Sequence, residues 1–237
     1  YQEMPRTASI ELMVLGCTPE QTAAVRDALL AELARVDRAP VPQPGFMAMP
    51  RQAPLRKTET LDLVQAKLCM VFTLGQPLDL REIPAVRLAM ALYGGSATSR
   101  LFLNVREKMH LCYYCSSSFQ SYTGSMVVNS GVEHADAARA EQAVLQELAD
   151  LCDGPIQDDE LEDCRRGILS AMQGVEDTLG GIENWYYSEI ARGEALLTPA
   201  EARAAQCAVT KDQVREVLRR FSLSVSYLLT RKEDADV

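Results

Sequence analysis

The middle of this chain most constrains its fold. Residues about 112–122 and 125–132 are two strand-like runs joined through Thr123-Gly124, which reads as a β-hairpin. A hairpin is antiparallel, so the sheet that contains it cannot be purely parallel. Upstream, Leu63 to Leu74 sets Val64, Ala66, Leu68, Met70 and Phe72 on one side, the pattern of a central or near-central strand. Helical spacing over about 80–93 and 98–109 separates that strand from the hairpin, the second helix turning Leu101, Val105 and Met109 inward. After the hairpin, helices are expected over about 135–153, stopped by Gly154-Pro155, and about 159–178, where Asp159 with Glu162 resembles a capping box. Thr198-Pro199-Ala200-Glu201 and Thr210-Lys211-Asp212-Gln213 open two more helices, and a last strand covers about 223–229.

The start of the chain repeats the theme. Ala8 to Leu15 alternates as a strand ended by Gly16-Cys17, and Thr18-Pro19-Glu20-Gln21 caps a helix over about 19–36. Residues 37–57 then hold five of the eleven prolines, so they are expected to form an extended connector without regular pairing. Strands and helices do not alternate strictly. The order fits an α+β fold better than a doubly wound sheet: a two-layer sandwich of a mixed, largely antiparallel sheet with helices packed on one face. Residues 1–237 are expected to be one domain, with the connector at about 37–57.

Composition narrows the function classes. Apolar residues make up 47% and charged residues 24%, enough for a buried core and unlike a disordered chain. The formal charge is −9, so the basic footprint of a nucleic-acid binder is missing. The excess acid is local: Glu133 to Asp177 contains 13 acidic and 3 basic residues, read here as the solvated face of a helix pair. No apolar run approaches the roughly 20 residues of a membrane span. Seven cysteines, an odd number without framework spacing, favour a reducing, cytoplasmic compartment. The first residue is Tyr1, which suggests a processed or excised piece.

Most chemical motifs fail on inspection. Gly94-Gly95-Ser96 precedes a helix but lacks the Gly-Lys-Ser/Thr of a phosphate loop, so a turn between helices explains it. Cys112-Tyr113-Tyr114-Cys115 is a CxxC that opens a strand rather than a helix, and residues three apart on a regular strand face opposite sides. His110 and His134 are the only histidines, and neither HExxH nor HxxEH occurs. The acidic run from Asp158 to Asp163 has no glycine turn and suits a helix start better than a calcium loop.

One longer string is more specific. Residues 94–115, GGSATSRLFLNVREKMHLCYYC, resemble the second-half signature of the insulinase/pitrilysin family of zinc peptidases. Gly94, Gly95, Ser99, Arg100, Leu101, Phe102, Arg106, Glu107, Lys108, Leu111 and Tyr113 match in register, and the paired tyrosines make it most similar to shorter bacterial members. Val14-Leu15-Gly16, Val64 to Leu68 and the helix opening at Asp158 extend the resemblance over most of the chain.

The resemblance implies a processing-peptidase-like α+β half that closes on a second half around an unfolded peptide. It places HxxEH and zinc in that other half, in the same polypeptide or another subunit, and none in this chain, which alone is expected to be inactive. It implies that Arg106 and Tyr113 contact substrate. An arginine fork and a phenol hydroxyl are both suited to donate to a peptide carbonyl oxygen as it gains charge. Family members without a zinc motif in either half make a non-catalytic partner or scaffold the alternative. The family commonly has glycine where this chain has His110, so the turn there is expected to differ or His110 to sit in the cleft.

Overall fold

A computed structural model describes residues 3–40, 48–121, 123–192 and 197–232. In chain order its elements are α1 (Met4–Thr7), α2 (Pro19–Leu33), β1 (Leu55–Thr60), β2 (Ala66–Thr73), α3 (Ile83–Met90), β3 (Cys112–Gln120), β4 (Ser125–Val132), α4 (Ala137–Asp153), α5 (Asp158–Gln173), α6 (Leu179–Arg192), α7 (Pro199–Cys207), α8 (Lys211–Arg219) and β5 (Ser222–Thr230). They fall into two compact units, one from Tyr1–Phe46 with Gly174–Leu196 and one from Met47–Gln173 with Leu197–Val237.

The first unit holds α1, α2 and α6. Thr18 and Gln21 make the expected reciprocal cap of α2, and Arg38 ties the chain by donating to the carbonyls of Pro5 at 2.8 Å and Ala8 at 2.7 Å. The strand expected over Ala8 to Leu15 does not form: residues 9–15 run without helix or ladder. A strand needs a hydrogen-bonding neighbour, and among the described residues this unit's regular elements are all helices.

The second unit is built on a five-stranded sheet in the order β1-β5-β2-β4-β3. Only β1 and β5 run parallel; the other neighbours are antiparallel, as the central hairpin requires. Ala66, Leu68, Met70 and Phe72 of β2 are buried with Leu88 and Ala89 of α3, Val144 of α4 and Leu218 of α8, while Lys67, Cys69 and Val71 on the opposite side are more open. The fold is therefore the expected mixed α+β sandwich. Val64 is 96% exposed because the strand starts only at Ala66.

The connector ends sooner than the prolines suggest. Pro54 is the last of them, and from Leu55 each residue has an N–H to contribute, so Leu55 to Thr60 pair with Val225 to Thr230. Thr198 and Thr210 form the expected capping boxes. The α5 cap is shifted: Glu160, not Glu162, reaches back, its Oε2 accepting from the Gln157 N–H at 3.3 Å, so the helix starts at Asp158. Much of the local acid joins elements together: Asp153 pairs with Arg219, Asp158 with Lys211 and Glu141 with Arg56.

Two helical stretches are wider than α. Ala91–Gly95 extends α3 as a π turn, and Leu101–Lys108 winds as a π-helix ended by the Met109 N–H donating to Asn104 O, five residues back, at 2.8 Å. The wider winding changes which residues face inward. Leu101 and Val105 are fully buried, but Met109 is exposed and Leu111 fills the core in its place.

Gly94 permits the tight approach of this region to β3. A Cβ there would lie 2.7 Å from the Ser117 N and 2.7 Å from Leu101 Cδ1. Gly94→Ala is expected to lower unfolding free energy by about 1–3 kcal/mol, the usual cost of overpacking. Gly167 in α5 is exposed with open space around its Cα, so Gly167→Ala should raise stability by about 0.5–1 kcal/mol. Urea unfolding of the two variants checks the opposite signs.

Candidate functional site

The residues of the 94–115 string divide by what they touch. Leu101, Val105 and Leu111 enter the core. The Ser99 hydroxyl donates to Ser96 O at 2.7 Å and accepts from the Phe102 N–H at 3.4 Å, closing the start of the π-helix. Arg100 forks onto Glu160, with Nε to Oε1 at 2.7 Å and Nη2 to Oε2 at 3.1 Å, and also donates to Pro155 O at 2.8 Å. That clamp fixes the π-helix to the start of α5.

Arg106 and Tyr113 are different. Both line a cleft of about 300 Å³ together with Glu107, His110, Leu111, Cys112 and Glu133. The Arg106 guanidinium lies 4.6 Å from the centre of the Phe102 ring and 3.5 Å from Glu107 Oε1, and its side chain stays 38% exposed. Stacking on an aromatic face holds the planar fork in place and leaves its edge available for acceptors. Tyr113 is 61% exposed and donates its hydroxyl to Glu133 Oε1 at 3.0 Å. That hydrogen bond and the carboxylate's charge raise the phenol's pKa, so Tyr113 remains a proton donor at neutral pH.

The turn between them has the backbone that glycine favours. His110 has φ 54°, the only positive φ at a non-glycine residue among those described. His110 also lines the cleft. The left-handed turn is kept, so the expectation that it would differ is not met, while the other alternative is: His110 sits at the cleft.

The CxxC is not arranged as a regular strand would arrange it. Cys112 pairs with Val132 and Tyr114 with Gly131, which leaves Tyr113 as the extra residue of a β-bulge. Cys115 then pairs with Ser130, so both cysteines stand opposite residues that share one face of β4. The expectation that they face opposite sides is corrected: the inserted residue reverses the parity. On the other face, the Tyr114 ring lies over Gly131, where a Cβ would meet it at 2.5 Å, with Lys67 Nζ 5.3 Å from the ring centre.

Glu133 and Phe102 are site residues that sequence reasoning passed over. Counting outward from the hairpin turn without a bulge sets Glu133 opposite Cys112, which was a legible hint of its place beside Tyr113.

Zinc does not fit here. His134 is buried and engaged at both nitrogens: Nε2 donates to Leu63 O at 3.2 Å, and Nδ1 accepts from the Thr230 hydroxyl at 2.7 Å and the Arg231 N–H at 3.3 Å. His110 is exposed, and no three His, Cys, Asp or Glu side chains gather as a metal-holding group among the described residues.

The profile of the family described as "Peptidase M16 inactive domain" matches residues 1–168. The chain belongs to that family. It is the non-catalytic half of zinc protease-like proteins, which agrees with the resemblance read from residues 94–115. A Bacillus subtilis (strain 168) protein named as a probable inactive metalloprotease, YmfF, is 26% identical over 175 residues, 73% of this chain and 41% of its own length. A conserved protein from Enterococcus faecalis V583 superposes with a TM-score of 0.80 at 27% identity, over 88% of this chain and 49% of that one. The peptidase M16 inactive domain from Pseudomonas fluorescens shares the fold with a TM-score of 0.72 at 17% identity, over 89% of this chain and 52% of that one. This M16 chain thus spans about half the length of the relatives it matches.

The left-handed turn makes a stability prediction. His110→Gly should leave stability unchanged or raise it by up to about 1 kcal/mol, because glycine carries no Cβ penalty there. A β-branched residue is worst at positive φ, so His110→Val should cost about 1–2 kcal/mol. Thermal unfolding that ranks valine above glycine would contradict the assignment.

Proposed function

We propose that this M16 chain holds an extended peptide opposite a second half that bears HxxEH and zinc, and that Arg106 and Tyr113 are its substrate contacts. The observation that carries the reading is their shared cleft. Of the matched string, Arg106 and Tyr113 converge at one surface beside Glu107, while Ser99, Arg100, Leu101 and Val105 go into packing and clamping. A guanidinium and a neutral phenol can both donate, suited to a peptide carbonyl oxygen and to the greater charge that oxygen takes on during hydrolysis. Before peptide arrives, Tyr113 donates to Glu133; an incoming carbonyl replaces that acceptor and leaves Glu133 free for a backbone N–H.

The other half, in the same polypeptide or another subunit, and the peptide itself are the partners of this proposal. One family domain over residues 1–237 belongs to it too, supported by a family match that runs unbroken across the junction of the two compact units at Phe46 and Met47. A cytoplasmic location rests on the odd cysteine count.

A second reading has its own support, since the Bacillus relative is named as an inactive metalloprotease. On that reading the chain binds peptide or an active sibling without cleavage. In the full-length protein or the assembled pair of halves, Arg106→Ala should lower turnover of an unfolded polypeptide by roughly 10²–10³. Unchanged turnover ends the assignment of Arg106. A pair that retains peptide without cutting it, and retains it less well after Arg106→Ala, supports the non-catalytic reading instead.

A further inference from the structure

The CxxC takes no part in the reading above, yet the bulge gives it a geometry of its own. Cys112 lines the cleft and is half-buried; Cys115 is buried beneath it in the core. Their β4 partners, Val132 and Ser130, are two residues apart on the same face. Both side chains therefore leave the strand in one direction, about one strand repeat apart. Disulfides need Cα atoms about 4.4–6.8 Å apart and Cβ vectors that do not diverge, and a bulge that sets the two cysteines side by side meets that demand better than a flat strand can. We propose that Cys112 and Cys115 are a peroxide-oxidisable dithiol that closes reversibly to an intramolecular disulfide.

The roles of the two sulfurs differ. Interaction with the Cys115 thiol, helped by Ser130 and the charge of Arg106, brings Cys112 down to about 7 despite its partial burial. The same contact together with burial pushes Cys115 well up, so it stays a thiol. The accessible sulfur is thus the nucleophile and the buried one the resolving partner. Cys112 thiolate attacks one oxygen of hydrogen peroxide, breaking the O–O bond to give a sulfenic acid and hydroxide. Cys115 sulfur then attacks the sulfenic sulfur; the S–O bond breaks, and the departing hydroxyl takes the Cys115 proton to leave as water, while the hydroxide of the first step takes up the proton that Cys112 lost on ionising. Two thiols and one peroxide give one disulfide and two waters.

The exposed thiols Cys17 and Cys207 would confuse the readout, so the test uses the full chain carrying Cys17→Ser and Cys207→Ser. After brief treatment with hydrogen peroxide, alkylation and peptide mapping should find Cys112 and Cys115 protected from iodoacetamide in a peptide lighter by two hydrogens, and dithiothreitol should restore both. In a further Cys115→Ala variant, Cys112 sulfenic acid should persist and its dimedone adduct should rise about tenfold, because nothing resolves it. Both thiols remaining fully alkylatable after peroxide would overturn the proposal, as would equal dimedone trapping with and without Cys115. Should Cys115→Ala fail to fold, the map of the chain that retains Cys112 and Cys115 decides by itself.

Discussion

The close approach at Gly94 is the constraint on which the site depends. With no side chain there, the π turn after α3 lies against Ser117 of β3, and Leu101 fills the adjoining space. The π-helix that follows is thereby laid along the N-terminal end of β3 with Leu101 and Val105 beneath it. Arg106, one residue beyond Val105, emerges above the strand start rather than over the helix layer. Arg100 secures the same helix from its other side through Glu160 and Pro155. A steric allowance and an ion-pair clamp thus set the height and direction of one guanidinium.

This arrangement explains why a string of matched residues is mostly structural and still points to function. Ser99, Arg100, Leu101 and Leu111 would be needed in any protein that laid a π-helix across this sheet. Arg106 and Tyr113 would not: exchanging either for another long or aromatic residue would leave the core intact. Their persistence in the matched pattern asks for a reason outside packing, and a shared cleft is one. The cation at Arg106 also acts on Cys112, so the proposed substrate contact and the proposed thiol chemistry would draw on the same charge.

Much of the fold was legible because its signals are local. The hairpin, the alternation of β2 and the Thr18, Thr198 and Thr210 capping boxes depend on residues a few positions apart, and all formed. What escaped depended on distant partners or on counting. The strand expected at Ala8 to Leu15 had the right alternation but no ladder neighbour in its compact unit. Leu55 to Lys57 paired because β5, some 170 residues later, offers an edge. Met109 was assigned inward by α spacing, and the π-helix shifted the periodicity under it. His110 was the informative exception: a residue unsuited to positive φ was recognised at the one place where the turn required it.

The bulge at Tyr113 joins the two halves of the functional argument. An extra residue in one strand reverses the facing of everything on its far side relative to a regular ladder. In β3 that reversal carries Cys112 to the core face, beside Cys115, and leaves Tyr113 outside the ladder, free to project to Glu133 and the cleft. Without the bulge, Cys112 would face away from Cys115, and Tyr113 would be an ordinary ladder residue with its direction fixed by the pleat. The exposed phenol and the paired thiols are therefore one geometric event. On the proposal made for the dithiol, a covalent bond between Cys112 and Cys115 would tie together the two residues that flank the Tyr113-Tyr114 pair.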